Sequence, residues 1–395
     1  MLKVVVGHSN DPDTPEAIAE VLQQCQQQLE PDAKPQAGVL LAAIDFEFEQ
    51  LLAPIAEAFP GLELIGGTTD GEISSVLGFE QDSVSLMLFC SDRITIRTGI
   101  GEHLSDSVEG AVQRAVAMAS QGHQGDPVLG VAIYESLTDN VAKVLGCINA
   151  NLSHDIPILG GLTADQWRFK QTYQFYNGKV YDDAVVLLFF SGPLAFSFGV
   201  KSGWCPIGQP GVVTKQDSNV VYEIDHRPAL DYYQHYLGDS PPSSESPLAV
   251  FQDGATDFYL RAPTGTVDAV IGSVTFFGEI PQGATVQITE ANRSDVVNAA
   301  EGSMQQALTQ FPAADPSAVM YFSCSSRRRL LGSRTGEEFE VAQACCDRPI
   351  PSLGFYTNGE ISPLQRGQTS RFHNETFVTL LLGELPEDEP VERSG

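Results

Sequence analysis

Two carboxylates carried by a repeated turn are the first candidates for chemistry. The run Gly66-Gly-Thr-Thr-Asp-Gly-Glu-Ile-Ser74 returns as Gly354-Phe-Tyr-Thr-Asn-Gly-Glu-Ile-Ser362. A worn copy, Gly160-Gly-Leu-Thr163 followed by Ala164-Asp165-Gln166, lies between them. Asp70-Gly71 and Asn358-Gly359 favour a tight turn, because Asp and Asn side chains bond local amides and glycine accepts a positive φ. Thr69, Asp70, Thr357 and Asn358 are expected to satisfy turn amides, while the glycines admit a ligand or a second backbone. Glu72 and Glu360 then project from the same place in two copies. A carboxylate so placed holds a ligand's donors or serves as a general base. The plainer reading is a turn that packs two modules together, with the glutamate bonding local amides.

Other side chains extend the candidate set. In Ser325-Ser-Arg-Arg-Arg329, Arg327 suits bidentate capture of a ligand carboxylate, although such runs also form surface ion pairs. Trp204 and Tyr356 either stack on a ligand or fill the core between halves. Among the histidines, His8 follows the first apolar strand, His235 stands among Tyr232, Tyr233 and Tyr236, and His154 and His373 complete the set. Vicinal Cys345 and Cys346 have no further thiols close by in sequence and read as an ordinary pair. No G-x-S-x-G elbow, P-loop or H-E-x-x-H is present. With no recognisable nucleophile or metal set beside the carboxylates, a non-enzymatic role is expected.

The elements that must position these groups repeat as well. Short apolar strand-like runs precede each copy, at 38–44, 128–134 and 318–324, and others follow at 84–89, 184–190 and 377–382. Each module opens with a strand candidate, at 3–6, 94–99 and 285–289, and continues into a run of helical period. Ala17, Ile18, Val21 and Cys25 mark the first helix, Val108, Val112, Ala115 and Ala119 the second, and Val296, Ala300, Met304 and Ala307 the third. The prediction is an α/β protein of three pseudo-repeated βαβαβ-type modules, each roughly ninety residues, with largely parallel sheets covered on both faces. Beyond residue 190 the pattern changes to strands separated by turns, so the C-terminal half gains additional antiparallel strands. An N-terminal domain, 1–216, is expected to hold modules at about 1–91 and 92–192 plus crossover strands; a C-terminal domain spans 217–386, and 387–395 is an acidic tail.

Composition excludes some partners. The 395 residues carry a formal net charge of −29, which opposes binding to nucleic acid and to anionic lipid. The longest apolar stretch, 184–196, is interrupted by Ser191-Gly-Pro193 and falls short of a membrane span. The start runs directly into Val4 with no leader-type apolar region. Seven cysteines without a C-x-x-C read as reduced thiols, so a cytoplasmic location is expected.

Several stretches in fixed order resemble one family. They are Leu64-Ile-Gly-Gly-Thr-Thr-Asp-Gly-Glu-Ile73, Pro157-Ile-Leu-Gly-Gly161, Gly203-Trp-Cys-Pro-Ile-Gly208, Tyr222-Glu-Ile-Asp-His-Arg-Pro-Ala-Leu230, Gly354-Phe-Tyr-Thr-Asn-Gly-Glu-Ile361 and Phe372-His-Asn374. Together they span nearly the whole chain and resemble the FIST family, a prokaryotic sensory module also found beside F-box domains in eukaryotes, with both its N- and C-terminal domains. The resemblance implies a small-ligand sensor for amino acids or similar metabolites, acting in trans on a partner such as a histidine kinase or a cyclic-di-nucleotide enzyme, without established catalytic machinery. The expected ligand-binding residues are Thr69, Asp70, Glu72, Trp204, Arg327, Tyr356, Thr357, Asn358, Glu360 and His373. Cys205 departs from the family's Gly-Trp-Arg-Pro form, which leaves the role of that arginine open. The opening Val6-Gly-His-Ser-Asn-Asp-Pro-Asp13 is also similar to a free-standing branch of nitric-oxide-sensing haem proteins. That narrower resemblance implies non-covalent haem b on a neutral imidazole, with His8, His154, His235 and His373 as axial candidates. Two rival readings are an enzyme using Glu72 or Glu360 as general base and an interaction scaffold without a small ligand.

Overall fold

In a computed structural model, which describes residues 2–137, 141–251 and 257–386, one strand-and-helix pattern recurs three times. In the first module the spatial order is Lys3–Ser9, Val84–Cys90, Ala37–Ala43, Glu63–Thr69. The second sets Thr95–Glu102, Ala184–Ser191, Pro127–Tyr134 and Ile158–Leu162 in the same order. The third repeats it with Leu194–Lys201, Phe377–Glu384, Ala318–Cys324 and Ser352–Thr357. In each case only the last two strands run parallel, so the sheets are mixed rather than largely parallel. The reason is legible in Val84–Cys90, buried along its whole length: a strand covered on both faces gives an unbroken apolar run whichever way its neighbours point.

Helices follow the first strands where the periodicity places them. Thr14–Gln28 starts at the Asp13 cap, Val108–Ala119 at Ser107, and Arg293–Gln310 at a capping box formed by Asn292 and Asp295. The third module differs from expectation in its opening strand. Leu194–Lys201 fills that place, pairing Leu194 with Glu384, and residues 202–292 intervene before the helix. Thr285–Glu290, expected to open the module, belongs instead to a fourth sheet. Within a short window the two strands look alike, and only a pairing far along the chain tells them apart.

The fourth sheet is nine-stranded and antiparallel. Its main path runs Phe258–Arg261, Leu248–Phe251, Thr285–Glu290, Gly211–Asp217, Val220–Ile224, Ser273–Phe276, Pro263–Asp268. Helix Ala229–Leu237 lays Ala229 and Tyr233 on it. The expected domain cut near residue 216 falls inside strand Gly211–Asp217.

The three modules are joined by exchange of hairpins. Glu72–Ser74 and Gly78–Glu80, which follow the first repeated turn, complete the third module's sheet, with Leu353 opposite Ser74 and Phe355 opposite Glu72. Gln174–Tyr176 and Lys179–Tyr181 of the second module complete the first sheet. Glu360–Ser362 and Arg371–His373 of the third complete the second. The donations form a closed ring. Inner faces of all three sheets share one apolar core, in which Val39, Phe89, Val131, Phe190, Met320 and Phe322 are buried and Phe89 meets Phe190 edge to face at 5.7 Å. Each such side chain contributes roughly 1.5–3 kcal/mol. Helices cover the outer faces. Among the described residues, no helix is long and apolar enough to cross a membrane.

Candidate functional site

The repeated turns converge because the strands they end are linked backbone to backbone. Ala164 donates its amide to the Thr68 carbonyl at 2.8 Å, Asp70 donates its amide to the Tyr356 carbonyl at 3.0 Å, and Leu162 donates its amide to the Gly359 carbonyl at 3.0 Å, with the Thr357 hydroxyl adding a bond to the Leu162 carbonyl at 2.6 Å. The leading glycine of each copy permits the close strand packing behind this junction. A Cβ at Gly66 would collide with the Leu40 carbonyl, at Gly160 with that of Ala132, and at Gly354 with Tyr321.

Within the first copy, Glu72 turns inward. Hydroxyls of Thr69 and Ser83 donate to its two oxygens. Ser83 Oγ lies 2.8 Å from His8 Nε2, and His8 Nδ1 lies 2.7 Å from Ser74 Oγ. Ser74 Oγ already accepts the amides of Val76 and Leu77, so its own proton is directed at His8 Nδ1, and the neutral imidazole carries its hydrogen on Nε2. All of these side chains are buried. Burial pushes the Glu72 carboxyl up to about 8, against the opposing pull of the Ser83 and Thr69 hydroxyls, and takes His8 down to about 4.

Glu360 repeats the arrangement with one difference. Thr376, in the place of Ser83 just before the last strand, donates its amide at 3.0 Å and its hydroxyl at 2.7 Å to Oε2, while Oε1 has no hydrogen-bond partner. Burial pushes this carboxyl up to about 8 as well. In the second copy Asp165 caps its own loop, accepting from the amides of Phe169, Lys170 and Gln171. Asp70 is buried, and burial raises its carboxyl; its oxygens lack hydrogen bonds of good geometry, and Arg328 donates to its backbone carbonyl.

A cavity of about 660 Å³ opens beside the third copy, in the size range of small-molecule sites. Leu137, Val141 and Leu162 of the second module form one wall, and Phe276, Phe277 and Ala262 of the fourth sheet form another. Trp167 and Phe169 contribute from the loop after the second turn, while Thr357, Asn358, Cys324, Ser325 and Ser326 come from the third module. Phe372, Asn374 and Glu375 complete it. Asn358 donates to Ser136 Oγ at 3.0 Å across this space. The Cys324 thiol is held protonated, pushed up first by burial and then by the neighbouring Glu360 and Glu375.

The expected site residues therefore divide. Thr357 and Asn358 border the cavity; Thr69, Asp70, Glu72 and Glu360 do not. His373 points to the other side of its strand, because side chains alternate and Phe372 and Asn374 take the cavity face. Its Nε2 donates to the Ser362 carbonyl at 2.9 Å, and burial takes it down to about 3. Arg327 is fully buried and commits all five N–H groups internally, to both the Glu338 carboxylate and the carbonyls of Ser202, Val296 and Glu375. None is left for a ligand's carboxylate. Tyr356 donates to the same Glu338 and packs edge to face on Phe79, while Trp204 sits in a buried cluster with Leu260, Val296 and Leu331. Sequence reasoning missed Glu375, although it follows directly on the quoted Phe372-His-Asn374.

Haem needs an imidazole facing an apolar space, and the residues present do not fit it. Among the described residues, none that lines the cavity is a histidine. Both ring nitrogens of His8 are bonded inside the first module, His154 is exposed with its Nε2 on the Pro127 carbonyl, and His235 is exposed against the Tyr236 ring. Among the described residues no group of three or more His, Cys, Asp or Glu side chains could hold a metal ion.

Residues 36–227 match the FIST N domain and residues 229–363 the FIST C domain. An uncharacterized protein of Methanocaldococcus jannaschii is 26% identical over 248 residues, covering 59% of this chain and 47% of that protein, so the match spans about half of the relative's length. An uncharacterized protein of Mycobacterium tuberculosis is 24% identical over 388 residues, covering 92% of this chain and 95% of the other. Among solved structures, a cyanuric acid hydrolase from A. caulinodans is similar over 97% of this chain and 99% of that one, at 10% identity and a TM-score of 0.37.

Proposed function

Since the chain belongs to the FIST family, whose domains serve sensory signalling, we propose that the cavity between the second module, the third module and the antiparallel sheet receives a small metabolite, and that its occupancy is the signal. The observation that carries this reading is the composition of the walls, drawn from three separate parts of the fold. A ligand touching all three binds one arrangement of them better than others, and only such a difference can be transmitted. About 1–3 kcal/mol of differential binding suffices for a useful response. The polar groups Ser136, Ser325, Ser326, Asn358, Asn374 and Glu375 suit a metabolite of amino-acid size with several hydrogen-bonding groups. A partner protein in trans, such as a histidine kinase or a cyclic-di-nucleotide enzyme, reads the change.

A thermal-shift screen of amino acids and their decarboxylated amines tests the reading, run in parallel on the Ser326→Trp variant, which sets an indole on the cavity wall. Ligands of the cavity raise Tm in the wild type and lose that effect in the variant. Equal shifts in both proteins would place the binding elsewhere and overturn the proposal.

A further inference from the structure

We infer that the cavity selects an organic cation, a ligand presenting an ammonium, amidinium or guanidinium group to Glu375; the inference rests on the cavity reading above. Glu375 is fully buried, lies on the cavity wall, and neither of its carboxyl oxygens has a hydrogen bond of good geometry, the Ser326 hydroxyl being the nearby donor. The two glutamates of the repeated turns are better supplied: Glu72 has two hydroxyl donors and Glu360 has the amide and hydroxyl of Thr376. Buried carboxyl oxygens without donors are costly, and a native structure that keeps them invites a donor from outside.

The surrounding charge decides which donor. Burial raises the Glu375 carboxyl, Glu360 adds a like charge, and the nearby Ser326 hydroxyl and Arg327 only partly offset them. Arg327 is itself paired with Glu338 and reaches Glu375 through the backbone carbonyl, at 3.2 Å. The one lysine on the walls, Lys143, is exposed and paired with Glu109 at 2.8 Å, and a second acid, Glu279, stands on the same cavity. A cation with two N–H groups, on entering, displaces the Glu375 proton to solvent and bonds both oxygens of the resulting carboxylate at once, whereas an anion would keep the acid from ionising.

The backbone holds Glu375 in position. Its φ is +60°, an uncommon conformation for a glutamate. Arg327 grips its carbonyl on one side, and Asn374 accepts the Ala262 amide at 3.2 Å on the other, tying the segment to the fourth sheet. A cation drawn onto Glu375 therefore pulls on the connection between the third module and that sheet.

Isothermal titration with five-carbon probes of different charge tests this: cadaverine and agmatine as cations, valeramide as a neutral compound, glutarate as a dianion. The inference expects binding of cadaverine or agmatine, no heat from glutarate, and at least a tenfold loss of cation affinity in Glu375→Gln. Glu375→Asp keeps the charge and tolerates the positive φ, so it retains more affinity than the amide variant and guards against a mere folding defect. Cation binding unchanged in Glu375→Gln overturns the assignment. Glutarate or valeramide binding that Ser326→Trp abolishes, with no cation binding, overturns the charge class and leaves the cavity reading standing. Absence of binding by every probe and by every compound of the thermal-shift screen overturns both.

Discussion

Replacing Glu72 by glutamine should make the protein more stable at high pH and leave it nearly unchanged at low pH. The carboxyl is fully buried, with Thr69 and Ser83 on its two oxygens, and burial carries it from an ordinary value of 4.5 to about 8. The folded state therefore keeps the proton over a range in which the unfolded chain has released it. Stability is full below about pH 4.5 and falls as pH rises, by about 1.4 kcal/mol per pH unit, until the folded carboxyl itself ionises near pH 8. Across that window the loss reaches on the order of 4–5 kcal/mol. Glutamine resembles the protonated acid, offering one acceptor and one donor to the same hydroxyls, and cannot ionise. Urea unfolding of both proteins at each pH unit from 5 to 9 should show curves that lie close together near pH 5, diverge in favour of the variant up to about pH 8, and run parallel above it. Other buried carboxyls, Glu360 and Glu375 included, titrate in both proteins and largely cancel in the difference. A difference that stays constant with pH would refute the reasoning.

Three further outcomes follow from the same geometry. Arg327→Met leaves Glu338 buried without its cation and should cost about 3–5 kcal/mol in urea unfolding, whereas Arg327→Met combined with Glu338→Leu should cost less than the sum of the two single variants. Gly354→Ala puts a Cβ 2.5 Å from Tyr321 and should lower stability by roughly 1–3 kcal/mol, read as a fall in the urea midpoint at unchanged slope. Haemin added to the purified protein should give no Soret band that depends on His8, His154, His235 or His373, and a band lost in any one of the corresponding alanine variants would contradict the reading of those side chains.

Much of the local structure was legible in the chain. Asp13, Ser107 and Asn292 announce helix starts, because each offers a side-chain acceptor to amides that have no partner within the helix. The glycine-led turns announced the repeat, and their glycines lie where neighbouring strands come too close for a side chain. Strand direction was not legible, since buried strands such as Val84–Cys90 carry no alternation. Nor was the hairpin exchange, which depends on pairings such as Leu353 with Ser74 that no local pattern encodes. Arg327 misled because an arginine run in an acidic chain looks available for a ligand, while its partner Glu338 sits on a later helix with nothing in the spacing to mark it. Glu375 escaped notice because its burial without a well-aligned donor is a property of the packed environment alone.

The most direct test is a crystal structure of the protein with the strongest ligand from the thermal-shift screen. The account predicts that ligand between Asn358, Phe276 and Glu375, with its donor groups within hydrogen-bonding distance of the Glu375 carboxylate. A ligand bound at any other surface, with the cavity filled only by water, would contradict it.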